Sequence, residues 1–379
     1  MHIGFITTEY PHKNLPPVGG IGAFVKTMAD ALVEEGHKVS VFVCLSNVDA
    51  EWFDGAIKII QLKRRKPSKW SSITDRLYIG KIINRSIKKD KIDVIEAPDW
   101  EGLHAFCKFK VPLITRIHGS VTYFNAIEKR PTSRLLKFLE EKALKKSTAV
   151  IAVSKFAALK TKEVFNLGNR DITVIYNGVN VNKFKSIENK QLNANQILYF
   201  GTLIRKKGVL EIPFIFNELN KMNPEAELVL IGKDAIDPIE KVPTWDLMKK
   251  LFDKEAFQKV NYLGAVSYSD MQMQIANATV CIFPSYAEAF PISWLEAMAM
   301  EKGIVASSVG WAKESIVNNE SGYLVFPNEH TLFANKINDL LVNQNKINAF
   351  GKSAKERVLI NFNSDKLINE NLQFYKNLI

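Results

Sequence analysis

In the segment Lys38-Val39-Ser40-Val41-Phe42-Val43-Cys44, a lysine is followed by an apolar run with one internal serine. A strand buried on one face alternates apolar and polar residues, whereas a strand buried on both faces is a nearly continuous run of apolar residues, many of them β-branched or aromatic. We therefore predict that Lys38–Cys44 is an interior strand of a parallel sheet.

Similar short runs flank this segment and alternate with helical patterns. The other strands predicted in the first half are His2–Thr7, Ile57–Leu62, Ile92–Glu96, Pro112–His118, Ala149–Val153 and Ile172–Tyr176. The helices predicted between them are Gly22–Glu35, Ser71–Lys88, Thr132–Lys146 and Lys155–Phe165. Such alternation is typical of a doubly wound α/β sheet.

A second series of the same kind begins at Ile197. Its predicted strands are Ile197–Phe200, Glu227–Ile231, Lys259–Tyr262, Val280–Phe283, Ile304–Ser307 and Gly322–Val325. Its predicted helices are Lys207–Met222, Trp245–Phe252, Ser269–Ile275, Ile292–Met300, Glu329–Leu341, Lys346–Asn361 and Asp365–Asn377. The polar stretch Ser186–Gln196 separates the two series and is predicted to be a linker.

Length and composition agree with a two-domain globular chain. The chain has 379 residues, of which 46% are hydrophobic and 24% charged, so it can bury large cores and is not of the disordered class. The three cysteines, Cys44, Cys107 and Cys281, lie far apart in apolar runs, which indicates buried thiols in a reducing compartment. The N-terminus lacks the pattern of a signal peptide, and no stretch approaches about 18–20 consecutive apolar residues. We expect a cytoplasmic protein.

The net charge of +11 is confined to the first half. Residues 1–180 hold 29 Lys and Arg against 18 Asp and Glu, and the remaining residues hold 22 of each. Such a field attracts an anionic partner, which would be a nucleic acid, an anionic membrane or a phosphate-bearing substrate; a role in solubility alone is the alternative. The basic run from Lys63 to Lys69, followed by Trp70, is either a site of peripheral docking on an anionic membrane or a solvated loop. Because no nucleic-acid-binding motif accompanies the charge, we expect no nucleic acid partner.

Ligands of open α/β sheets bind at the carboxyl ends of the strands, so polar and glycine residues at those ends are the candidates. Gly19-Gly20-Ile21-Gly22 follows the first strand and precedes a helix, which suits either a phosphate or sugar site or a plain turn. Its spacing is not GxGxxG, so a dinucleotide site is poorly supported. His118 ends another strand, where it would bind a sugar hydroxyl, carry a proton or serve packing alone.

Three cations, Arg205-Lys206-Lys207, stand between a strand and the predicted helix Lys207–Met222. Cations at a helix N-terminus oppose its dipole, which favours a role in binding an external anion such as a diphosphate. The alternative is a solvated charge cluster.

The segment from Pro284 to Met298 is the densest concentration of chemically useful residues. Glu288 is predicted to lie in a loop, and Glu296 about two turns along a helix that begins near Phe290–Ile292. A loop carboxylate can fix sugar hydroxyls, and a second carboxylate can accept two ribose hydroxyls. A surface position for Glu296 is the alternative, although its apolar neighbours predict that it is shielded from open water.

Several catalytic signatures are absent from the sequence. No DxD, HExxH, EF-hand, GxSxG or GxxxxGK[ST] pattern occurs. Metal catalysis, serine hydrolysis and P-loop ATP hydrolysis are therefore unsupported.

Taken in order, these pieces resemble the family-4 retaining glycosyltransferases of the GT-B fold, over nearly the whole chain and most strongly over Ile197–Pro327. The matching pieces are Gly19-Gly20-Ile21-Gly22, Ile117-His118-Gly119, Val153-Ser154-Lys155, Asn177-Gly178-Val179-Asn180 with Phe184, Gly201…Lys207-Gly208, Glu288-Ala289-Phe290-Pro291…Glu296-Ala297-Met298, Gly310…Glu314 and Ser321-Gly322-Tyr323-Leu324-Val325. Three residues depart from the family pattern: Thr202 stands where Arg is frequent, Asn180 where Asp is usual, and Pro291 where glycine is frequent.

The resemblance implies roles for the residues that match. Gly20 and Gly22 would lie near the donor phosphate and the transferred sugar, and His118 at that sugar. Arg205 and Lys207, with Lys206, would hold the diphosphate. Glu288 would contact sugar hydroxyls and Glu296 the ribose. The remaining donor-binding positions implied are Gly201, Gly232, Gly264, Phe290, Pro291 and Ile292.

The resemblance also implies the architecture and the reaction. Two Rossmann-like domains are expected, an acceptor-binding one at 1–185 joined by the last helix at 362–379, and a donor-binding one at 186–361. The expected reaction is retaining transfer from a UDP- or GDP-sugar to a glycan or lipid-linked acceptor in bacterial-type surface polysaccharide synthesis, at the inner face of the cell membrane. No metal or other cofactor is expected, because cations and helix N-termini would stabilise the leaving diphosphate. A GT-B epimerase, a phosphorylase and a non-catalytic partner subunit are the alternatives.

Overall fold

The computed structural model describes residues 1–12, 15, 19–65, 71–186 and 195–379. Residues 66–70 of the basic run and 187–194 of the predicted linker lie outside the described residues, so both interpretations stay predictions. The chain forms two compact units, Met1–Asn177 with Asp365–Ile379, and Gly178–Ser364.

The described part of the first unit contains an eight-stranded sheet of order β3-β4-β2-β1-β5-β6-β7-β8. Its strands are β1 (His2–Thr7), β2 (Lys38–Ser46), β3 (Ala50–Asp54), β4 (Ile57–Lys63), β5 (Val94–Pro98), β6 (Leu113–Ile117), β7 (Ala149–Ala152) and β8 (Thr173–Val174). Its helices are α1 (Gly20–Glu34), α2 (Ser71–Asp90), α3 (Val121–Ile127), α4 (Arg134–Lys146) and α5 (Lys155–Phe165), with a 3₁₀ turn at Trp100–Gly102.

The interior strand predicted from Lys38–Cys44 is confirmed. Val39–Cys44 is buried, and β2 pairs in parallel with β1 on one side and β4 on the other. Strand β3 was not predicted. It pairs antiparallel with β4 at the sheet edge and none of its residues is fully buried, so it lacks the continuous apolar run of the interior strands.

The second unit contains a six-stranded sheet of order β11-β10-β9-β12-β13-β14 in which every pair is parallel. Its strands are β9 (Gln196–Phe200), β10 (Glu227–Ile231), β11 (Val260–Tyr262), β12 (Val280–Phe283), β13 (Gly303–Ser307) and β14 (Tyr323–Val325). The remaining α-helices among the described residues are α6 (Ile212–Met222), α7 (Thr244–Lys249), α8 (Lys254–Phe257), α9 (Tyr268–Asn277), α10 (Ile292–Ala299), α11 (Ala312–Ser315), α12 (His330–Val342), α13 (Gln344–Asn361) and α14 (Ser364–Lys376).

The helix predicted to begin at Lys207 begins at Ile212 instead. Arg205–Lys207 forms a 3₁₀ turn that ends at Gly208, whose φ of 65° lies in the left-handed region and interrupts helical geometry. Helix α6 then begins with Pro213 in its first turn, a position where a missing N–H costs nothing. The prediction that the three cations stand directly at an α-helix N-terminus is therefore wrong.

Helix α14 completes the core of the first unit. Leu367, Ile368, Leu372 and Tyr375 are buried in the same cluster as residues of β1, β2 and α1. The Tyr375 hydroxyl donates to Glu96 on β5 at 2.7 Å, and Arg116 on β6 pairs with the same carboxylate at 2.7 Å. The last helix is thus anchored to the first unit by packing and by a buried polar network.

All three cysteines are free and buried, as the sequence predicts. Burial raises the pKa of the Cys44 thiol well above its ordinary value and raises those of Cys107 and Cys281 to about 12. In the part of the chain that the structure describes, no helix is long and apolar enough to cross a membrane.

Candidate active site

Three predicted donor-binding glycines form a row at the carboxyl ends of neighbouring strands in the second unit. Gly201 follows β9, Gly232 follows β10 and Gly264 follows β11. The amide of Gly201 donates to Ile231, and the amide of Gly232 donates to Gly264 at 2.8 Å. A Cβ added to Gly232 would lie 1.9 Å from the Gly201 oxygen, so the backbones approach as only glycine allows.

The 3₁₀ turn of cations packs directly against the loop that carries Glu288. The Lys206 carbonyl accepts hydrogen bonds from the amides of Tyr286 at 2.9 Å and Ala287 at 3.1 Å. A Cβ added to Gly208 would lie 1.7 Å from the Pro284 oxygen. The structure therefore brings together two segments that are far apart in the sequence.

Lys207 and Glu288 form an ion pair at this junction. The Lys207 Nζ lies 2.7 Å from Glu288 Oε1, and their side chains retain 22% and 12% of their accessible surface. Burial and the Glu288 charge raise the pKa of Tyr199, whose hydroxyl donates to the Thr202 carbonyl at 3.1 Å. The pair is thus partly shielded from water yet reachable by a ligand, a setting in which charge interactions are stronger than in bulk solvent.

Arg205 is committed to a different partner. Its Nε and Nη2 donate to the two oxygens of Asp237 at 2.9 and 3.1 Å, and Asp237 is fully buried. Burial alone would raise the pKa of Asp237, but the Arg205 bonds and the amides of Glu240 and Ile239 lower it below its ordinary value. This bidentate pair anchors the loop after β10 and was not predicted from the sequence.

Glu296 lies on α10, as predicted, and is buried. Lys183 is within electrostatic reach of it: burial lowers the pKa of Lys183, and the Glu296 charge opposes that shift. Helix α10 begins at Ile292 after Pro291, and the Phe290 ring lies 5.3 Å from that of Phe362. The loop and the helix start predicted for this segment are both present.

In the first unit His118 follows β6 and is half-buried beside α1. Its ring lies 4.6 Å from that of Phe24 in an edge-on arrangement, and the Arg116 guanidinium lies 4.9 Å from the centroid of the same phenylalanine. Burial, with a smaller contribution from Arg116, lowers the pKa of His118 to about 3. The imidazole is therefore uncharged at physiological pH, a state in which one ring nitrogen can donate and the other can accept a hydrogen bond.

The glycine turn that precedes α1 already holds a carboxylate from the chain itself. Glu9 accepts hydrogen bonds from the amides of Gly19 at 2.9 Å and Gly22 at 2.8 Å. Gly20, the first residue of α1, is exposed, and Gly22 is buried. The Glu9 carboxylate is thus the anion that binds the free amides at the start of α1. Glu9 lies two residues beyond β1 and was not predicted as a site residue from the sequence.

Two buried acids hold the segment that carries His118. Asp99 Oδ1 accepts the His118 amide at 3.0 Å, and burial raises the pKa of Asp99 to about 8. Glu140 accepts the amides of Val121 at 3.0 Å and Thr122 at 3.1 Å. An acid within two residues of a strand end, as in Glu9 after β1 and Asp99 after β5, is the sequence signal that would have identified both of these residues.

Within the described ranges, no group of three or more His, Cys, Asp or Glu side chains is arranged to hold a metal ion. The predicted site residues therefore fall into two groups. Gly20, Gly22 and His118 lie in the first unit, and the remaining ones lie along one edge of the second sheet or in the segment that follows β12.

Two protein-family models match this chain, one over each half. Residues 18–183 match the model described as Glycosyltransferase Family 4, and residues 180–357 match that described as Glycosyl transferases group 1. An uncharacterized glycosyltransferase of Methanocaldococcus jannaschii is 27% identical over 99% of this chain and 98% of its own length. A capsular polysaccharide biosynthesis glycosyltransferase of Staphylococcus aureus is 27% identical over 65% of this chain and 66% of its own.

Solved structures share the whole fold. The sucrose-phosphate synthase of Thermosynechococcus elongatus superimposes with a TM-score of 0.81 at 20% identity, over 100% of this chain and 98% of that one. The Anabaena protein HepE, solved in complex with UDP-glucose, superimposes with a TM-score of 0.72 at 18% identity over 100% of both chains. With two family models that together span residues 18–357 and GT-B structures that match end to end, the chain belongs to the family-4 glycosyltransferases of the GT-B fold.

Proposed function

We propose that this glycosyltransferase transfers a sugar, with retention of configuration, from a UDP- or GDP-sugar to a glycan or lipid-linked acceptor of a bacterial-type surface polysaccharide. The observation that carries the donor assignment is the Lys207–Glu288 ion pair, set beside the glycine row of the second unit. Two names lend support: HepE was solved with UDP-glucose, and the Staphylococcus relative is named for capsular polysaccharide biosynthesis.

The site supplies an anion-binding group and a hydroxyl-binding group next to each other. Lys207 would neutralise charge on the leaving diphosphate, while Glu288 would accept hydrogen bonds from hydroxyls of the transferred sugar. Arg205 shapes this turn through Asp237, so Lys207 and Lys206 are the cations proposed to meet the phosphates. Glu296 would accept the ribose hydroxyls.

In the proposed reaction the acceptor hydroxyl attacks the anomeric carbon on the face from which the diphosphate departs. The bond from that carbon to the phosphate oxygen breaks, and the acceptor proton passes to a phosphate oxygen of the leaving group. Neutral His118 would orient the sugar without taking the proton. We propose that cationic side chains stabilise the leaving group and that no metal ion is required.

The test pairs Lys207→Ala and Glu288→Ala with the matched variants Lys221→Ala and Glu218→Ala. The latter two residues form an exposed ion pair on α6. We expect roughly 100-fold slower transfer for each site variant, because a preorganised electrostatic contact is lost, and unchanged rates for the α6 variants. Circular dichroism would confirm that all four are folded; full activity in both site variants would refute the assignment.

Three further measurements test the donor, the stereochemistry and the metal independence that we propose. A thermal-shift panel of UDP-, GDP- and ADP-sugars identifies the donor, and the anomeric proton coupling in the product reports retention or inversion. Activity should persist in excess EDTA. Loss of activity that a divalent ion restores would contradict the metal-free mechanism.

A further inference from the structure

Helix α4 has one face in the core and another that carries solvent-exposed apolar side chains. Leu139, Ala143 and Leu144 are buried, as expected for an amphipathic helix of a globular unit. On the other side Leu135 and Phe138 retain 51% and 49% of their accessible surface. Large apolar side chains left half in water at neighbouring positions of one helix require an explanation.

Four cations share that side of the helix with the two apolar residues. We call the set the α4 outer face, and it consists of Arg134, Leu135, Phe138, Lys142, Lys145 and Lys146. The spacing of three, four and seven residues places them as neighbours along about a third of the helix circumference. The Lys142 Nζ lies 5.6 Å from the centroid of the Phe138 ring, so the cation and the aromatic group lie side by side.

Positive charge extends beyond α4 itself. Burial, with smaller contributions from the charges of Lys142 and of Lys108 outside the helix, lowers the pKa of Lys146. The nearby acid Glu141 is already paired with Lys145. Like charges held close together oppose folding unless an anionic partner offsets them, and this unit carries the excess charge of the chain.

We propose that the α4 outer face docks on an anionic lipid bilayer. Phe138 and Leu135 would enter the interface between headgroups and acyl chains, while the four cations meet lipid phosphates. The combination of exposed apolar side chains with flanking cations favours a membrane over duplex nucleic acid, for which charge alone suffices. Docking is independent of the transfer reaction, so it is tested without a sugar donor.

The experiment is vesicle flotation of the full chain with two compositions, phosphatidylcholine alone and phosphatidylcholine mixed with phosphatidylglycerol. The wild type should float with the anionic vesicles at low salt and dissociate at high salt. The charge variant Lys142→Gln/Lys145→Gln/Lys146→Gln should partition roughly 100-fold more weakly, since each cation near an anionic surface contributes about fivefold. The apolar variant Leu135→Ser/Phe138→Ser should bind the anionic vesicles more weakly than the wild type at low salt, although its charge is unchanged.

Two control variants test whether binding depends on the α4 outer face itself, and not on the net charge of the protein or on exposed apolar residues elsewhere. Lys249→Gln/Lys250→Gln/Lys254→Gln removes the same charge from exposed positions of the second unit, and Leu332→Ser/Val342→Ser removes two exposed apolar residues of α12. Both should float like the wild type. The proposal is overturned if the wild type does not bind anionic vesicles at low salt, or if the charge control loses as much binding as the α4 charge variant. It is also overturned if the protein binds a single-stranded RNA homopolymer but not the vesicles.

Discussion

At the scale of single residues, the two ion pairs made by the 3₁₀ turn Arg205–Lys207 have different roles. Asp237 is fully buried and engages both Nε and Nη2 of Arg205, so this pair is part of the framework. Lys207 pairs with Glu288, and both side chains stay partly accessible. An ammonium group has three donors and a flexible stem, so Lys207 can meet a ligand while it keeps its carboxylate partner.

We predict that Asp237→Asn lowers the free energy of unfolding by about 2 kcal/mol at neutral pH, because it leaves Arg205 without its buried counter-charge. The folded-state pKa of Asp237 is lowered, so its stabilising effect is present above the unfolded value near 4 and is lost as the pH falls through the folded value. The difference between wild type and variant, measured by urea unfolding, should therefore shrink below about pH 4.

The exposed pair Asp246–Lys249 in the same unit provides the control. Asp246→Asn should change stability by less than about 0.5 kcal/mol, since surface ion pairs contribute little. If Asp237→Asn lowers the free energy of unfolding by no more than Asp246→Asn does, or by an amount that does not depend on pH, Arg205 and Asp237 are not energetically coupled.

The sequence supports a role for the residues of this turn but does not reveal which cation binds which partner. The run Arg205-Lys206-Lys207 indicates an anion site, and Glu288 and Glu296 indicate hydroxyl binding. The bond from Arg205 to Asp237 spans 32 positions and follows from two neighbouring strand ends meeting, which no local pattern encodes. The same holds for Glu9, whose carboxylate reaches amides 10 and 13 positions away.

At the scale of elements, the site depends on close contact between the 3₁₀ turn and the loop after β12. We predict that Gly208→Ala separates these segments, because the φ of 65° is strained for alanine and the added Cβ would lie 1.7 Å from the Pro284 oxygen. The free energy of unfolding should fall by more than about 2 kcal/mol. Nucleotide-sugar affinity, measured by calorimetry, should fall with it.

Gly168→Ala is the matched control, since Gly168 has a φ of 55° and nothing within 4 Å of the added Cβ. Gly168→Ala should lower the free energy of unfolding by about 1 kcal/mol, through backbone strain alone, and should leave donor affinity unchanged. Equal effects of the two substitutions would mean that strain, and not contact with the Glu288 loop, explains the Gly208 variant.

Elements with strong patterns were predictable, and the departures have identifiable causes. The strand at Val39–Val43 is buried on both faces, which favours apolar residues, and its one polar residue, Ser40, is hydrogen-bonded to His2. Strand β3 lies at an edge, where half-exposed positions tolerate Glu51 and Asp54 beside Trp52 and Phe53. The start of α6 was missed because a single left-handed glycine, Gly208, ends the preceding turn, and glycine alone does not reveal its φ.

At the scale of the whole molecule, the C-terminal helix belongs to the first unit, although it follows the second in sequence. We predict that truncation after Asn363 destabilises the first unit selectively, because it removes buried Leu367, Leu372 and Tyr375 from that core. Amide hydrogen exchange should quicken in β1, β5 and β6 and remain slow in β9 to β13.

Glu370→Ala, at an exposed position of the same helix, should leave exchange unchanged in both units. Uniform loss of protection across both sheets in the truncated chain would show that the two units unfold as one cooperative block, contrary to the prediction.

The buried cysteines make this division measurable by covalent chemistry. Cys44 and Cys107 lie in the first unit and Cys281 in the second. A thiol with a raised pKa inside a core reacts with an alkylating reagent only when that core opens. Mass spectrometry of each cysteine peptide would therefore measure the rate at which each unit opens, with no substitution in the protein. A single cysteine introduced at the surface would react with a fluorescent label while the three native cysteines stay unlabelled.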